Sequence, residues 1–166
     1  MKQHEWLLII TLAVILMLGT PQRSASATAL ASKIEGGYGD IVIAESAKFG
    51  IPYQRVFAQI YQESAGDTTA VGHDGERGLM QLLPGAITDV NARFGTDYTF
   101  DDMFDPEANI TVGCAYLSIL LSQFNGNLDL ATQAYNAGAG NVIKSPATAG
   151  MDYLTRVKSH EPYFNV

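Results

Sequence analysis

The side chain best suited to catalysis in this 166-residue sequence is the carboxylic acid of Glu63. Val56 and Ile60 lie four residues apart, and Glu63 follows three residues later, so a helix would place all three on one face. An acid held against an apolar wall has a raised pKa and can act as a general acid near neutral pH. The alternative is that Glu63 lies at a frayed helix end and meets water. The spacing alone leaves both interpretations open.

Two segments follow Glu63 and bear on its surroundings. Residues 66–78 form a loop rich in glycine and charge, which contains His73, Asp74 and Glu76. Residues 78–83, beginning Gly-Leu-Met-Gln, predict a short apolar turn or helix that Pro84-Gly85 interrupts.

The helix that carries Glu63 has recognisable ends. Pro52 stands where helices favour proline, at the first position, and Gly66 is expected to end the helix. A preceding helix is predicted from Tyr38 to a stop at Gly50. The Glu63 helix is therefore expected to deliver the acid to the mouth of a cleft.

The clearest amphipathic pattern lies further along the chain and predicts the central core helix. Asp105 and Pro106 form a strong helix start, with Asp as the N-cap and Pro at the first position. Apolar residues then recur at steps of four, three, four and three: Ile110, Cys114, Leu117, Leu121 and Phe124. Other predicted elements are helices over 86–94, 128–137 and 151–159 and a short turn over 141–144. Since no alternating strand pattern is present, we expect one mostly α domain with little or no β structure.

The N-terminal residues have the three-part plan of a secretory signal peptide. An apolar run from Leu7 to Gly19 precedes a small-residue segment with Ala25-Ser26-Ala27, which predicts a signal peptide over 1–27. An uncleaved single-pass anchor is the alternative. Residues 28–37 are predicted to be a flexible lead-in, and the domain spans 38–166. We therefore expect an exported, periplasmic or cell-wall associated protein.

Charge and cysteine content exclude several kinds of function. Removing residues 1–27 takes away Lys2, Arg23 and Glu5, which changes the formal net charge from −7 to −8. A chain this acidic lacks the positive charge that nucleic-acid binding requires, whereas a neutral amino-sugar glycan is compatible with it. The single cysteine, Cys114, cannot form an internal disulfide and is expected to be a buried structural thiol. No metal-ligand spacing is present, so neither metal nor cofactor is expected.

Three segments in order carry a family resemblance: Glu63-Ser64, residues 78–81 (Gly-Leu-Met-Gln) and residues 134–138 (Ala-Tyr-Asn-Ala-Gly). Together they resemble the catalytic domain of the soluble lytic transglycosylases of bacterial cell walls. These enzymes form glycoside hydrolase family 23 and are related to goose-type lysozyme. The similarity covers roughly residues 38–160. It implies a lysozyme-like fold with a cleft between helices.

The resemblance implies a lyase that acts on peptidoglycan. Glu63 would protonate the glycosidic oxygen between N-acetylmuramic acid and N-acetylglucosamine. It would then take a proton from the C6 hydroxyl of the muramic acid as that group attacks its own anomeric carbon, which yields a 1,6-anhydro sugar. Most glycosidases need two carboxylates, but an internal nucleophile removes that need.

The resemblance also assigns roles around Glu63. Ser64 would position the substrate, Met80 and Gln81 would line sugar subsites, and Tyr135 would lie against the sugar or near the acid. Asn136 would hydrogen-bond an N-acetyl group. Tyr153 matches a family tyrosine whose hydroxyl contacts the catalytic acid, although Ala149-Gly150-Met151 replaces the usual acidic lead-in.

Two alternative functions stay open. Family members often have a small residue where this chain has Glu76, so Asp74 or Glu76 could supply a second carboxylate that activates water. Loop acids are thought to activate water in this way in goose-type lysozymes. The protein would then be a hydrolytic muramidase. The other alternative is an inactive glycan-binding module of an envelope machine. We expect a monomer that meets peptidoglycan strands, with secretion, conjugation or phage machinery as candidate partners.

Overall fold

The computed structural model describes residues 37–164, and this part of the chain folds into seven α-helices and two short 3-10 helices. The predicted signal peptide over 1–27 and nearly all of the predicted lead-in over 28–37 lie outside the described residues. The α-helices are Gly39–Phe49 (α1), Tyr53–Ser64 (α2), Pro84–Phe94 (α3), Pro106–Gln123 (α4), Leu128–Ala137 (α5), Ala139–Lys144 (α6) and Met151–His160 (α7). The 3-10 helices are Asp101–Phe104 and Glu161–Phe164.

Local capping signals account for the ends that the sequence predicts well. Gly50 closes α1 in the left-handed conformation, with φ of 67°. The Asp105 side chain accepts a hydrogen bond from the Ala108 backbone N–H at 2.9 Å, which confirms it as the N-cap of α4. Helix α5 has the predicted bounds, and the Asn127 side chain caps it by accepting from the Leu130 N–H at 3.1 Å.

Several predicted boundaries are wrong. Pro84 does not interrupt a helix but begins α3, because a proline at the first position lacks only an N–H that has no helical partner there. The predicted turn over 141–144 belongs to α6, which starts at Ala139. Helix α2 ends at Ser64, two residues before the predicted stop at Gly66, and Ala65 takes the left-handed position with φ of 50°.

Helix α4 is the centre of the domain, as predicted, and it packs against α1, α3 and α5. Ile110, Cys114 and Leu117 are completely buried. The burial extends around the helix because neighbours lie on several sides of it. At Gly113 the Met80 side chain lies against the helix backbone, and a Cβ there would be 2.2 Å from the Met80 sulfur. Burial raises the pKa of the Cys114 thiol to about 12, which fits the predicted structural role.

The described residues contain no β-strand longer than an isolated bridge. Arg77 pairs in this way with both Val71 and Leu82, which folds the loop after α2 back on itself. The predicted mostly α fold with little β structure is therefore confirmed. Between residues 37 and 164, no helix has the length and apolar character that crossing a membrane requires.

A buried arginine fixes the position of α2, the helix that carries Glu63. Arg55 is 4% exposed, and its guanidinium contacts Glu161 and lies 3.0 Å from the Asp129 carboxylate. It also donates to the Thr132 hydroxyl at 2.6 Å. A buried charge needs such partners because its desolvation is costly. The network ties α2 to α5 and to the C-terminal 3-10 helix, so the acid is held on a rigid element.

Candidate active site

Glu63 lies in the last turn of α2, partly buried, at the wall of a cavity of about 160 Å³. Val56 and Ile60, which share its helix face, are completely buried. The interpretation of Glu63 as a frayed helix end in water is therefore wrong. Other residues of the cavity wall come from the loop, the turn after it and α5: Gly72, His73, Glu76, Gln81, Leu83, Tyr135 and Asn136.

Tyr153 of α7 is the hydrogen-bond donor to this acid. Its hydroxyl donates to Glu63 Oε1 at 2.6 Å, across 90 residues of sequence. Tyr153 is itself 3% exposed. The contact that the family resemblance implied for this tyrosine is thus present in the geometry, despite the different residues before it.

Burial raises the pKa of Glu63 to about 7. Desolvation is the largest cause, because a carboxylate loses hydration when the wall around it is apolar. The Tyr153 hydrogen bond and the positive charge of Arg156 act in the opposite direction, and the negative charge of Glu76 adds to the rise. An acid with a pKa near 7 can give up a proton and take one back at neutral pH.

Tyr135 lies at the junction of two cavities. Its hydroxyl donates to the Met80 carbonyl at 2.9 Å, and its ring packs edge-on against Tyr116 at 5.5 Å between centroids. The ring borders both the Glu63 cavity and an adjoining one of about 240 Å³. Gln81 and Leu83 likewise line both, so the two cavities adjoin and together make up the groove beside Glu63.

The structure corrects the predicted place of Met80. Its side chain is completely buried against Gly113 and does not reach the groove wall. Its backbone carbonyl, however, holds the Tyr135 hydroxyl. Met80 thus shapes the groove from behind, and packing is the common use of a methionine.

Gln81 occupies the groove wall in a backbone conformation uncommon for a residue with a side chain, with φ of 47°. Its amide donates to the Gly78 carbonyl at 2.8 Å and to the Ala70 carbonyl at 3.2 Å, which holds the loop and the turn together. Gly78 is required beside it, because its φ is 72° and a Cβ would lie 2.1 Å from the Met103 carbonyl oxygen.

Ser64 and Asn136 have different surroundings. Ser64 Oγ lies 2.9 Å from the Leu79 carbonyl oxygen and accepts from the Gly66 N–H at 3.2 Å, so it joins the end of α2 to the turn. Asn136 is exposed in the groove wall, where its amide can meet a ligand. Ser64 Oγ also lies 3.2 Å from the Ile60 carbonyl oxygen, so its hydrogen-bond partners among residues 37–164 are backbone groups, and its predicted contact with substrate stays a prediction.

The structure separates the two candidate second acids. Glu76 lines the cavity with Glu63, whereas Asp74 is exposed and is not part of the wall. The Asp74 backbone N–H donates to Glu76 Oε2 at 3.0 Å and so fixes that carboxylate. Gly72 leaves room for the Glu76 carboxylate, because a Cβ at Gly72 would be 2.2 Å from Glu76 Oε2.

Two buried amides near the site were not predicted. Asn109 of α4 is 1% exposed; its Oδ1 accepts from the Met80 N–H at 2.8 Å, and its Nδ2 donates to the carbonyls of Arg77 and Met103. It thereby anchors the turn that bears Gln81. Gln59 of α2 is completely buried beside Tyr153. The sequence signal that could have found them is an amide between two apolar residues of a predicted helix. Asn109 lies between Ala108 and Ile110, and Gln59 lies between Ala58 and Ile60.

We expect Glu76→Gln to lower the pKa of Glu63. The change removes a negative charge that disfavours ionisation of Glu63, while the amide keeps the size of the side chain. The matched control is Asp74→Asn, which makes the same change at the exposed neighbour. Carbon-detected NMR titration of the Glu63 carboxyl measures both. A Glu63 pKa that moves equally in the two variants, or in neither, would show that Glu76 does not act on the acid.

Comparisons with known proteins identify the family and the fold. The family model described as Transglycosylase SLT domain matches residues 40–152. The soluble lytic murein transglycosylase of Escherichia coli is 35% identical over 107 residues, which is 63% of this chain and 17% of that protein. The chain thus spans less than a fifth of the length of that relative.

Solved structures show the same fold. An inactive mutant of lytic transglycosylase Slt from Pseudomonas aeruginosa matches with a TM-score of 0.69 and 32% identity, over 75% of this chain and 23% of that chain. The 70-kDa soluble lytic transglycosylase from Escherichia coli matches with a TM-score of 0.70 and 27% identity, over 76% of this chain and 24% of that one.

Proposed function

Because the chain belongs to the Transglycosylase SLT domain family, we propose that it is a lytic transglycosylase that cleaves peptidoglycan glycan strands with Glu63 as its acid. The observation that carries the proposal is the geometry of Glu63. It is a partly buried acid with a pKa of about 7, held by Tyr153 at the wall of an open groove. An acid with that pKa is suited to proton transfer at neutral pH.

The proposed reaction uses one carboxyl group twice. Protonated Glu63 gives its proton to the glycosidic oxygen, and the bond from that oxygen to C1 of N-acetylmuramic acid breaks. N-acetylglucosamine leaves with a free 4-hydroxyl. The Glu63 carboxylate then removes the proton from the C6 hydroxyl as O6 bonds to C1, which returns Glu63 to its protonated state. The substrate's own N-acetyl group assists at C1, and no water is consumed.

The groove offers the contacts that an amino-sugar strand requires. Tyr135 presents an aromatic ring, and Gln81 and Asn136 present amides, all on the wall that includes Glu63. Carbohydrate rings have apolar faces and polar edges, which such a mixture suits. The adjoining cavity beside Tyr116 and Asp89 extends the groove. We assign Ser64 an indirect role, because its hydroxyl joins α2 to the turn that carries Gln81.

A hydrolytic muramidase is the second candidate, and the location of Glu76 favours it. Glu76 lines the same cavity as Glu63, so a water between the two carboxyl groups could attack C1. The retaining and inverting glycosidases both place two carboxyl groups on one site. Asp74 has no such position. The transglycosylase remains the leading proposal, because the matching family is described as a transglycosylase domain and the relatives as lytic transglycosylases, while a raised pKa suits the acid of either reaction.

We propose that the protein meets its substrate after export, with residues 1–27 as the signal. Peptidoglycan is the proposed partner. Assembly with secretion, conjugation or phage machinery, and a monomeric state, are proposed from the sequence alone.

Incubation with purified sacculi tests the proposed function. Wild-type protein is expected to bind sacculi and release soluble muropeptides, measured by chromatography of the supernatant. The protein that sediments with the sacculi measures binding, and the muropeptides in the supernatant measure cleavage, so one experiment gives both. Binding without any release would favour the inactive glycan-binding module instead.

A further inference from the structure

A completely buried amide lies one helical turn before the acid. Gln59 of α2 has no exposed surface and is flanked by Ala58 and Ile60, which are also buried. Its Oε1 has no hydrogen-bond partner among residues 37–164. A buried acceptor without a partner costs about 1–3 kcal/mol, so an apolar residue would be more stable here. Such a local conflict is typical of a position kept for function.

Gln59 is the first member of a hydrogen-bonded chain that ends at the acid. Its Nε2 donates to the Tyr153 hydroxyl oxygen at 3.3 Å, and the Tyr153 hydroxyl donates to Glu63 Oε1 at 2.6 Å. An amide N–H can only donate, whereas a tyrosine hydroxyl both accepts and donates. The Tyr153 oxygen therefore accepts the hydrogen bond that the Gln59 amide donates. The single hydroxyl proton is left to point at Glu63.

The direction of this chain decides which oxygen of Glu63 carries the acidic proton. A protonated carboxyl group holds its proton on one of two oxygens. If Oε1 held it, Glu63 would donate to Tyr153 and the proton would point into the protein, away from the groove. Tyr153 is not part of the cavity wall, whereas Glu63 is. When Tyr153 is the donor, Oε1 is an acceptor and the proton is on Oε2.

We propose that Gln59 is a positioning residue that fixes Tyr153 as a donor and thereby places the acidic proton of Glu63 on Oε2, the oxygen left for the substrate. The inference rests on the proposed function, since it concerns the proton that Glu63 transfers. Gln59 does not touch the substrate and acts through Tyr153.

Other groups that face Glu63 do not set this direction. The Tyr135 hydroxyl of α5 donates its hydrogen bond to the Met80 carbonyl, at 2.9 Å. Arg156 of α7 and Glu76 of the loop act on Glu63 through charge. His73 lines the cavity from the loop. Among the described residues, Tyr153 is the side chain that donates a hydrogen bond to Glu63.

The test is a double-mutant cycle with Gln59→Met, Tyr153→Phe and the variant that carries both. Met is unbranched, similar in length to Gln and without an N–H. We expect Gln59→Met to lower kcat on soluble glycan strands about tenfold with little change in KM, since the proton transfer is affected and not binding. The double variant is expected to be no slower than Tyr153→Phe, because residues that act through one another are not additive.

Two measurements, the pKa of Glu63 and the Tm, distinguish a positioning role of Gln59 from a structural one. Gln59→Met is expected to raise the pKa of Glu63, because a less constrained Tyr153 stabilises the carboxylate less, and to leave the Tm unchanged or higher. In the Tyr153→Phe background it should leave that pKa unchanged. The control is Gln62→Met, a partly buried glutamine beside Glu63, which is expected to leave kcat and the pKa as in the wild type.

Multiplicative losses of kcat in the double variant, or a lower Tm with an unchanged Glu63 pKa in Gln59→Met, would overturn the proposal. The NMR titration of Glu63 does not depend on turnover. If wild-type protein cleaves no glycan, the proposed function fails while the pKa cycle still decides whether Gln59 acts on Glu63 through Tyr153.

Discussion

Replacing Glu63 with Gln is expected to reduce the release of muropeptides from sacculi by about 10³-fold or more while the fold is retained. Positioned acids and bases contribute about 10²–10⁴-fold to rate, and here one group is proposed to serve as both. The amide keeps the shape of the side chain and can still accept from Tyr153, but it has no acidic proton to give.

Glu107→Gln is the matched control for this prediction. It makes the same chemical change at an exposed acid in the first turn of α4 and is expected to leave release unchanged. Circular dichroism of both variants checks the fold. If Glu63→Gln kept activity within about tenfold of the wild type, another acid would carry the proton and the assignment of Glu63 would be wrong.

The same substitution is expected to change how stability depends on pH. Folding raises the pKa of Glu63 from 4.5 to about 7, so the wild type has its full stability from this group below pH 4.5. That contribution is lost as the pH rises through about 7, because the buried carboxylate must then be charged. The loss amounts to at most about 3 kcal/mol. A variant without the carboxyl group does not suffer it.

Urea unfolding at pH 4 and pH 8 measures this effect. The difference in free energy of unfolding, Glu63→Gln minus wild type, is expected to become more positive by up to about 3 kcal/mol between the two pH values. A difference that is the same at both would mean that Glu63 has an ordinary pKa in the folded protein. Glu63 would then be ionised at neutral pH and could not begin the proposed reaction as an acid.

The elements that the sequence predicts best are those that local chemistry decides. The N-caps Asp105 and Asn127, and Gly50 after α1, satisfy helix ends with their own atoms, so short segments determine them. Pro84 was predicted wrongly because a proline can end one element or begin the next, and the choice depends on what packs against it.

The site shows the same division. The family resemblance carried by Glu63, Gln81 and Tyr135 predicted a shared site, and the fold brings these three to one cavity wall. Tyr153 is hydrogen-bonded to Glu63 from inside the protein. Residues whose effect depends on one distant partner were not predictable. Gln59 becomes meaningful only once Tyr153, 94 residues away, lies beside it.

The backbone of the loop also separates two neighbouring acids that the sequence could not. Asp74 and Glu76 lie two residues apart in one loop and carry the same charge. The Gly72 N–H donates to the Glu76 carbonyl at 2.8 Å, which closes a turn and brings the Glu76 side chain to the cavity. Composition and residue spacing do not predict that turn, because it depends on one backbone hydrogen bond within the loop.

The identity of the new sugar end is the most direct test of a reaction in which Glu63 acts alone. Sacculi are digested in water enriched in heavy oxygen, and the released muropeptides are weighed by mass spectrometry. The predicted products end in 1,6-anhydro-muramic acid, lighter by one water than a reducing end and free of the heavy isotope at the cut. Reducing ends that carry one heavy oxygen would contradict the account and establish a hydrolase, with Glu76 as the second acid to test.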